Sequence, residues 1–127
     1  ANPESRFNVD LQGAPESMAY DELLAKRVQK TLAACGLEFI ERKMFGGIAF
    51  MLNGNMCCGI IQDELVLRVG RETAREMIQD DHIRTMDFTG RPMHGFVMVE
   101  AEALMNNTSL FEWLEPAISF ASSLPPK

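Results

Sequence analysis

The chain has 127 residues of ordinary globular composition, and 18 acidic residues against 12 basic ones give a net charge of −6. This length fits one domain with one modest core, and no apolar run approaches the ~20 residues that a membrane-spanning helix needs. The acidic balance argues against a protein that binds nucleic acid mainly through the phosphate backbone, because such domains are usually basic.

The first 17 residues differ from the rest of the chain. They contain two prolines and scattered polar groups, without sustained periodicity. We interpret residues 1–17 as an added or flexible tail, with a native start at Met18 and a single domain over residues 18–127. The start of the chain also lacks the basic segment and apolar stretch of a signal peptide.

A helix is predicted over residues 19–35. Apolar residues recur every three or four positions from Leu24 to Cys35, which is the period of an amphipathic helix. Gly36 is placed to end this helix as a left-handed cap.

Two Gly-rich apolar strands are predicted next, over residues 43–52 and 56–61. The pair Asn53-Gly54 lies between them and predicts a hairpin, because both turn positions need positive φ. Both strands are apolar on both faces, which favours central or covered positions in the sheet. Glycines inside strands usually mark bulges or close backbone approaches, so we interpret Gly46, Gly47 and Gly59 as structural.

A third strand is predicted over residues 65–69, after a tight turn at Gln62-Asp63-Glu64. Leu65 and Leu67 share one face and Val66 shares the other with Arg68. This alternation is typical of a half-exposed strand.

The second half of the chain predicts a helix, a hairpin and a final helix. The short helix covers residues 71–79, and the hairpin joins strands near 84–88 and 96–100 through a longer loop at Thr89-Gly90-Arg91-Pro92. The final helix begins near residues 107–109.

Ser109 and Glu112 have capping-box spacing at the start of this final helix. Pro116 lies past the first turn and is expected to bend it. The resulting order is α-β-β-β-α-β-β-α, and helices packed on an antiparallel sheet place the chain in the α+β class.

The three cysteines are interpreted as reduced thiols in a cytoplasmic protein. Cys57 and Cys58 are adjacent, so we expect them on opposite faces of the sheet. Adjacent cysteines are also poorly spaced for a closed zinc site, and we expect no metal and no cofactor. His82 and His94 flank the predicted hairpin and could approach each other.

A nucleophilic thiol at Cys57 or Cys58, with His94 as its base, is one alternative. No family signature surrounds either thiol. The pair Gly46-Gly47 also lacks the strand-to-helix context and the lysine of a phosphate-binding loop. We therefore expect no catalytic residues, and we keep a small ligand-binding protein or enzyme around Cys57, Cys58 and His94 as an alternative.

Five basic residues form a candidate contact surface. Arg71 and Arg75 lie one helical turn apart, and Arg68 ends the strand before them. Arg42 and Lys43 lie at the entrance of the sheet. Such a surface can meet an acidic partner or a phosphate, and direct DNA binding through it is a second alternative.

Surface pairing of these basic residues with Glu64, Glu72 and Glu76 is the competing interpretation, and each such pair contributes little. Met93 follows Pro92 in the predicted loop and is our candidate for an exposed contact, because methionine suits adaptable binding surfaces.

Three sequence blocks resemble a known family. The first contains Met44-Phe45-Gly46-Gly47, Phe50, Asn53-Gly54, Met56, Gly59 and Leu65–Val69. The others are Pro92–Phe96 and Leu110–Trp113, the latter with Leu-x-x-Trp spacing. Together, over about residues 18–123, they are similar to the N-terminal domain of the TfoX/Sxy regulators of competence.

The resemblance implies a fold similar to that of secretion chaperones, with structural roles for Phe45 and the glycines of the first block. It also implies a non-enzymatic, cytoplasmic, bacterial regulator of DNA uptake. Such a regulator works with a protein partner of the cyclic-AMP receptor protein type and reaches DNA only through that partner. The sequence leaves open whether the domain forms a homodimer.

Overall fold

The computed structural model describes residues 20–44, 46–88 and 90–127. The strands are β1 (Ile40–Met44), β2 (Gly47–Leu52), β3 (Asn55–Ile61), β4 (Glu64–Arg68), β5 (Ile83–Phe88) and β6 (Arg91–Val99). The helices are α1 (Glu22–Ala34), α2 (Arg71–Met77) and α3 (Asn107–Ser123), with a 3₁₀-helix at Ala101–Leu104. The strands form one antiparallel sheet in the order β1-β2-β3-β4-β6-β5.

The α+β class is confirmed, with one strand more than predicted. The strand predicted over residues 43–52 is two strands, because the chain reverses at Gly46, which has a φ of 76°. Met44 pairs with Gly47 across this reversal. β1 was missed because its four residues from Ile40 to Lys43 are exposed and lack apolar alternation.

The turn at Asn53-Gly54 agrees with its prediction, whereas the loop predicted at residues 89–92 does not. The hairpin at Asn53-Gly54 is confirmed, since both residues have positive φ values of 52° and 82°. The longer loop predicted at residues 89–92 is wrong. Phe88 pairs with Arg91, so the strands are joined by two residues, and β6 begins at Arg91 rather than near Phe96.

One face of the sheet packs against α1 and α3. Leu110, Leu114 and Ala117 of α3 are fully buried here, as are Val28 and Leu32 of α1. Their partners on the sheet include Ile48, Phe50, Ile60, Leu65, Leu67, Val97 and Val99. This is the main core of the domain.

The other face carries a second cluster that is rich in methionine. Its buried members are Ala49, Met56, Val66, Met86 and Met98. Val66 is only 1% exposed, so the prediction of a half-exposed third strand is wrong. β4 is an interior strand between β3 and β6, and side chains on both of its faces are covered.

Cys57 and Cys58 lie on the same side of the sheet, contrary to the alternation we predicted. Phe50 pairs with Cys58 while Met51 pairs with Met56, so Cys57 is the extra residue of a β-bulge. Both thiols are fully buried in the helix-side core. A bulge shifts the alternation by one residue, which the local sequence did not indicate.

The final helix begins with a different cap from the one predicted. The side-chain Oδ1 of Asn106 accepts the N–H of Ser109 at 2.8 Å, so Ser109 is the third helical residue. Pro116 lies inside the helix. Residues 1–17, interpreted above as a tail, lie outside the described residues. None of the described helices combines the length and hydropathy that crossing a membrane requires.

Candidate functional site

A cleft lies between α2 and the first half of β6. Its volume is about 260 Å³ and it is lined by Arg71, Ala74, Arg75, Ile78, Thr85, Met93, His94, Gly95 and Phe96. A second cavity of about 210 Å³ shares Arg71, His94, Gly95 and Phe96, and adds Arg68, Gly70 and Phe120. We call the two together the arginine cleft.

Close backbone contact between β6 and the start of α2 forms one wall of this cleft. Gly95 has a φ of 86°, and its carbonyl oxygen accepts the N–H groups of Val69 at 2.9 Å and Gly70 at 3.1 Å. A Cβ atom on Gly95 would lie 3.4 Å from the carbonyl carbon of Gly70. The backbone at these positions therefore sets how closely α2 approaches the sheet.

Arg68 is held in place by two aromatic rings. Its guanidinium carbon lies 5.9 Å from the ring centroid of Phe96 and 5.5 Å from that of Phe120, which are cation–π distances. Gly70 leaves space for the Phe120 ring, because a Cβ there would lie 2.8 Å from Phe120 Cε1. Arg68 is thus presented in a restricted orientation.

Arg71 and Arg75 project from α2 and are exposed. Within residues 20–44, 46–88 and 90–127, neither they nor Arg68 form an ion pair with a carboxylate. Glu64 pairs with Arg84 instead. The surface pairing with glutamates that the sequence left open is therefore not found for these three arginines.

The structure divides the predicted contact residues into two groups. Arg68, Arg71, Arg75 and Met93 meet at the arginine cleft. Arg42 and Lys43 lie on β1 at the opposite edge of the sheet, with β2, β3 and β4 between them and β6. Five basic residues therefore do not form one surface, because the strand order separates β1 from α2.

Met93 is half-buried and belongs to β6, not to a loop. His94 and Phe96 also line the cleft and were not predicted as contact residues. Sequence reasoning assigned residues 91–92 to a loop and grouped His94 with the cysteines, because the early start of β6 was not visible in the pattern.

The alternative site at Cys57, Cys58 and His94 does not assemble. Both thiols are fully buried, whereas His94 is exposed in the cleft. The hydrogen bond with Cys57, together with burial, raises the pKa of Cys58 well above that of an ordinary thiol. A nucleophilic cysteine needs the opposite shift. Among the described residues, the cysteines and histidines also do not converge as metal ligands with one another.

The family described as the TfoX N-terminal domain matches residues 30–121, which include all six strands and every residue that lines the arginine cleft. The chain belongs to the TfoX N-terminal domain family. This family supplies a regulatory domain of competence-related proteins and is not a known enzyme family. No curated protein matches the chain.

Three glycines of the first block, Gly47, Gly54 and Gly59, lie where this TfoX N-terminal domain has little room, whereas Gly46 has open space around its Cβ position. A Cβ on Gly47 would lie 1.9 Å from the carbonyl oxygen of Ile60, and one on Gly59 would lie 2.7 Å from that of Ile48. A Cβ on Gly54 would lie 2.8 Å from Lys127 Cβ. Phe45, also named for a structural role, lies outside the described residues.

Proposed function

We propose that this TfoX N-terminal domain is a non-enzymatic cytoplasmic module that acts in transcription control by binding a protein partner through the arginine cleft. The observation that carries the proposal is the convergence of Arg68, Arg71 and Arg75 on one cleft that also has apolar walls. In the described part of the chain these arginines have no carboxylate partner. An acidic segment of another protein would supply one.

The composition of the cleft suits a protein interface. Arginine and methionine are enriched at interfaces, and arginine is among the residues that dominate binding energy. A guanidinium can bind a carboxylate through two parallel hydrogen bonds. Because Phe96 and Phe120 already restrict Arg68, binding through it loses less side-chain entropy.

In this proposal the partner is a regulator of the cyclic-AMP receptor protein type. Membership connects the domain to competence-related regulation. In this proposal the domain reaches DNA through the partner, and competence genes are its targets. The partner would present acidic side chains to Arg71 and Arg75 and an apolar side chain to Met93.

Calorimetric titration with a purified cyclic-AMP receptor protein-type regulator of the same organism tests the proposal. We expect saturable binding, and we expect the double variant Arg71→Glu/Arg75→Glu to raise the Kd by at least about tenfold, or 1.4 kcal/mol. The control is Arg42→Glu, which reverses an exposed charge at the far edge of the sheet. Absence of binding would reject this partner, and an equal loss in the control would reject the cleft.

Direct binding of DNA is the second candidate function. The same three arginines favour it, since phosphate oxygens are also good guanidinium partners. The acidic balance of the chain opposes it. Fluorescence anisotropy of a labelled DNA duplex titrated with the protein separates the two candidates.

A further inference from the structure

Three metal-ligating side chains converge where β5 begins and β6 ends. His82 directly precedes β5, Glu100 directly follows β6, and Glu102 lies in the 3₁₀-helix. One ligand atom from each residue lies within 4.8 Å of the other two. The Nδ1 of His82 is 3.6 Å from the Oε1 of Glu100.

The backbone holds these residues together independently of any ligand. Ile83 pairs with Val99, and the N–H of Glu100 donates to the carbonyl oxygen of His82 at 3.0 Å, so His82 and Glu100 continue the antiparallel pairing. Directly opposite residues in such a pair have neighbouring side chains. The N–H of His82 also donates to Oδ1 of Asp80 at 2.8 Å, which fixes the turn before β5.

The charges at this position are unbalanced. Glu100 and Glu102 place two carboxylates close together, and like charges at this separation repel. Among the residues that the structure describes, no lysine or arginine pairs with either of them, and the side chain in contact with Glu100 is the imidazole of His82. A bound cation would offset the repulsion.

We propose that His82, Glu100 and Glu102 bind a divalent cation of the zinc class. One imidazole nitrogen and two carboxylate oxygens suit zinc, whereas magnesium and calcium take oxygen ligands. A fourth position would be left to water. The side chains of His82 and Glu100 are 47% and 40% exposed, so they have the freedom to close around an ion.

Isothermal titration of the full chain with zinc chloride tests this site. The titration uses a Cys35→Ser background, because Cys35 is an exposed thiol that could bind zinc by itself. We expect one site, and we expect His82→Ala to lower the affinity by at least about tenfold, since loss of even an outer-shell group costs 10–100-fold. Glu102→Gln is also expected to lower the affinity for zinc.

Glu112→Gln is the matched control for Glu102→Gln, because it neutralises an exposed glutamate on α3. The second histidine of the chain, His94, is an internal reference in NMR spectra of the imidazole groups. Zinc is expected to shift the resonances of His82 and to leave those of His94 in place. Magnesium at the same concentration is expected to shift neither.

Thermal unfolding supplies a readout that does not depend on heats of binding. Zinc at 100 times its Kd is expected to raise the folding equilibrium constant about 100-fold in the parent, and by about tenfold or less in Glu102→Gln at the same zinc concentration. The site is rejected if Glu102→Gln and Glu112→Gln bind zinc alike, or if zinc shifts His82 and His94 equally.

Discussion

Among the described glycines, Gly47 has the least room for a side chain. A Cβ there would lie 1.9 Å from the carbonyl oxygen of Ile60 on the neighbouring strand. Backbone atoms cannot move aside without breaking the pairing of β2 with β3. We expect Gly47→Ala to lower the free energy of unfolding by more than about 3 kcal/mol, at or beyond the upper end of ordinary overpacking.

Gly36→Ala is the control for this substitution. Gly36 has a φ of 76° but open space around its Cβ position, so only backbone strain applies, about 1–2 kcal/mol. Urea unfolding of both variants measures the difference. Equal losses would show that positive φ matters as much as the close approach of the strands.

The raised pKa of Cys58 predicts that the folded state loses stability at alkaline pH. Its hydrogen bond with Cys57 and its burial raise its pKa well above the ordinary value. In the unfolded chain a thiol ionises near pH 8.5, about the value for model peptides. The stability that the protonated thiol contributes is therefore fully present below that pH. It is lost as the pH rises toward the pKa of Cys58 in the folded state, and the folding equilibrium constant falls about tenfold per pH unit in this range.

Urea unfolding over a range of pH measures this loss. Above about pH 8.5, the approximate model-peptide value, we expect the urea midpoint of the parent to fall more steeply with pH than that of Cys58→Ala. Cys35→Ala is the control, because Cys35 is exposed, and it should keep the slope of the parent. Parallel slopes in the parent and Cys58→Ala would mean that Cys58 ionises equally in the folded and unfolded states.

At the scale of one element, α3 depends on Asn106 for its start. The side chain of Asn106 satisfies the N–H of Ser109, which has no partner within the helix. We expect Asn106→Ala to cost about 1 kcal/mol of unfolding free energy, the usual effect of losing such a cap. Thr108→Ala, at an exposed position of the same turn, is the control.

Thermal or urea unfolding, followed by circular dichroism, measures how much this cap contributes to the free energy of unfolding. Since α3 packs on the central strands, both variants should unfold in one transition with unchanged dependence on urea. A larger loss in Thr108→Ala than in Asn106→Ala would place the cap elsewhere.

At the scale of the whole molecule, net charge opposes direct DNA binding. Residues 1–17 hold Arg6 against Glu4, Asp10 and Glu16, or −2, so the other residues carry −4 of the total of −6. Non-specific DNA binders gain most of their affinity from releasing counterions and have Kd values of about 10⁻⁴–10⁻⁶ M. We expect no measurable duplex binding at about 0.15 M salt.

Fluorescence anisotropy of a labelled duplex, titrated with protein to high micromolar concentration, measures this. Saturable binding that weakens steeply with salt, and that disappears in an Arg68/Arg71/Arg75 triple alanine variant, would favour DNA binding over a protein partner. Arg42→Ala is the control, because Arg42 lies at the far edge of the sheet.

The sequence by itself determined the features that depend on neighbouring residues. The helix from Glu22 to Ala34 follows from apolar spacing, and the hairpin at Asn53-Gly54 follows from the need for positive φ. The α+β class follows from the order of such elements. Each of these signals lies within a few residues of the structure that it predicts.

Only the tertiary structure decided which elements and side chains meet. β6 lies between β4 and β5, and the strand order separates Arg42 from the arginine cleft, while the packing of α3 on the sheet brings Phe120 to Arg68. The bulge at Cys57 places both thiols in one core. Strand order and register are chosen by contacts between residues far apart in the chain, and no local periodicity contains that information.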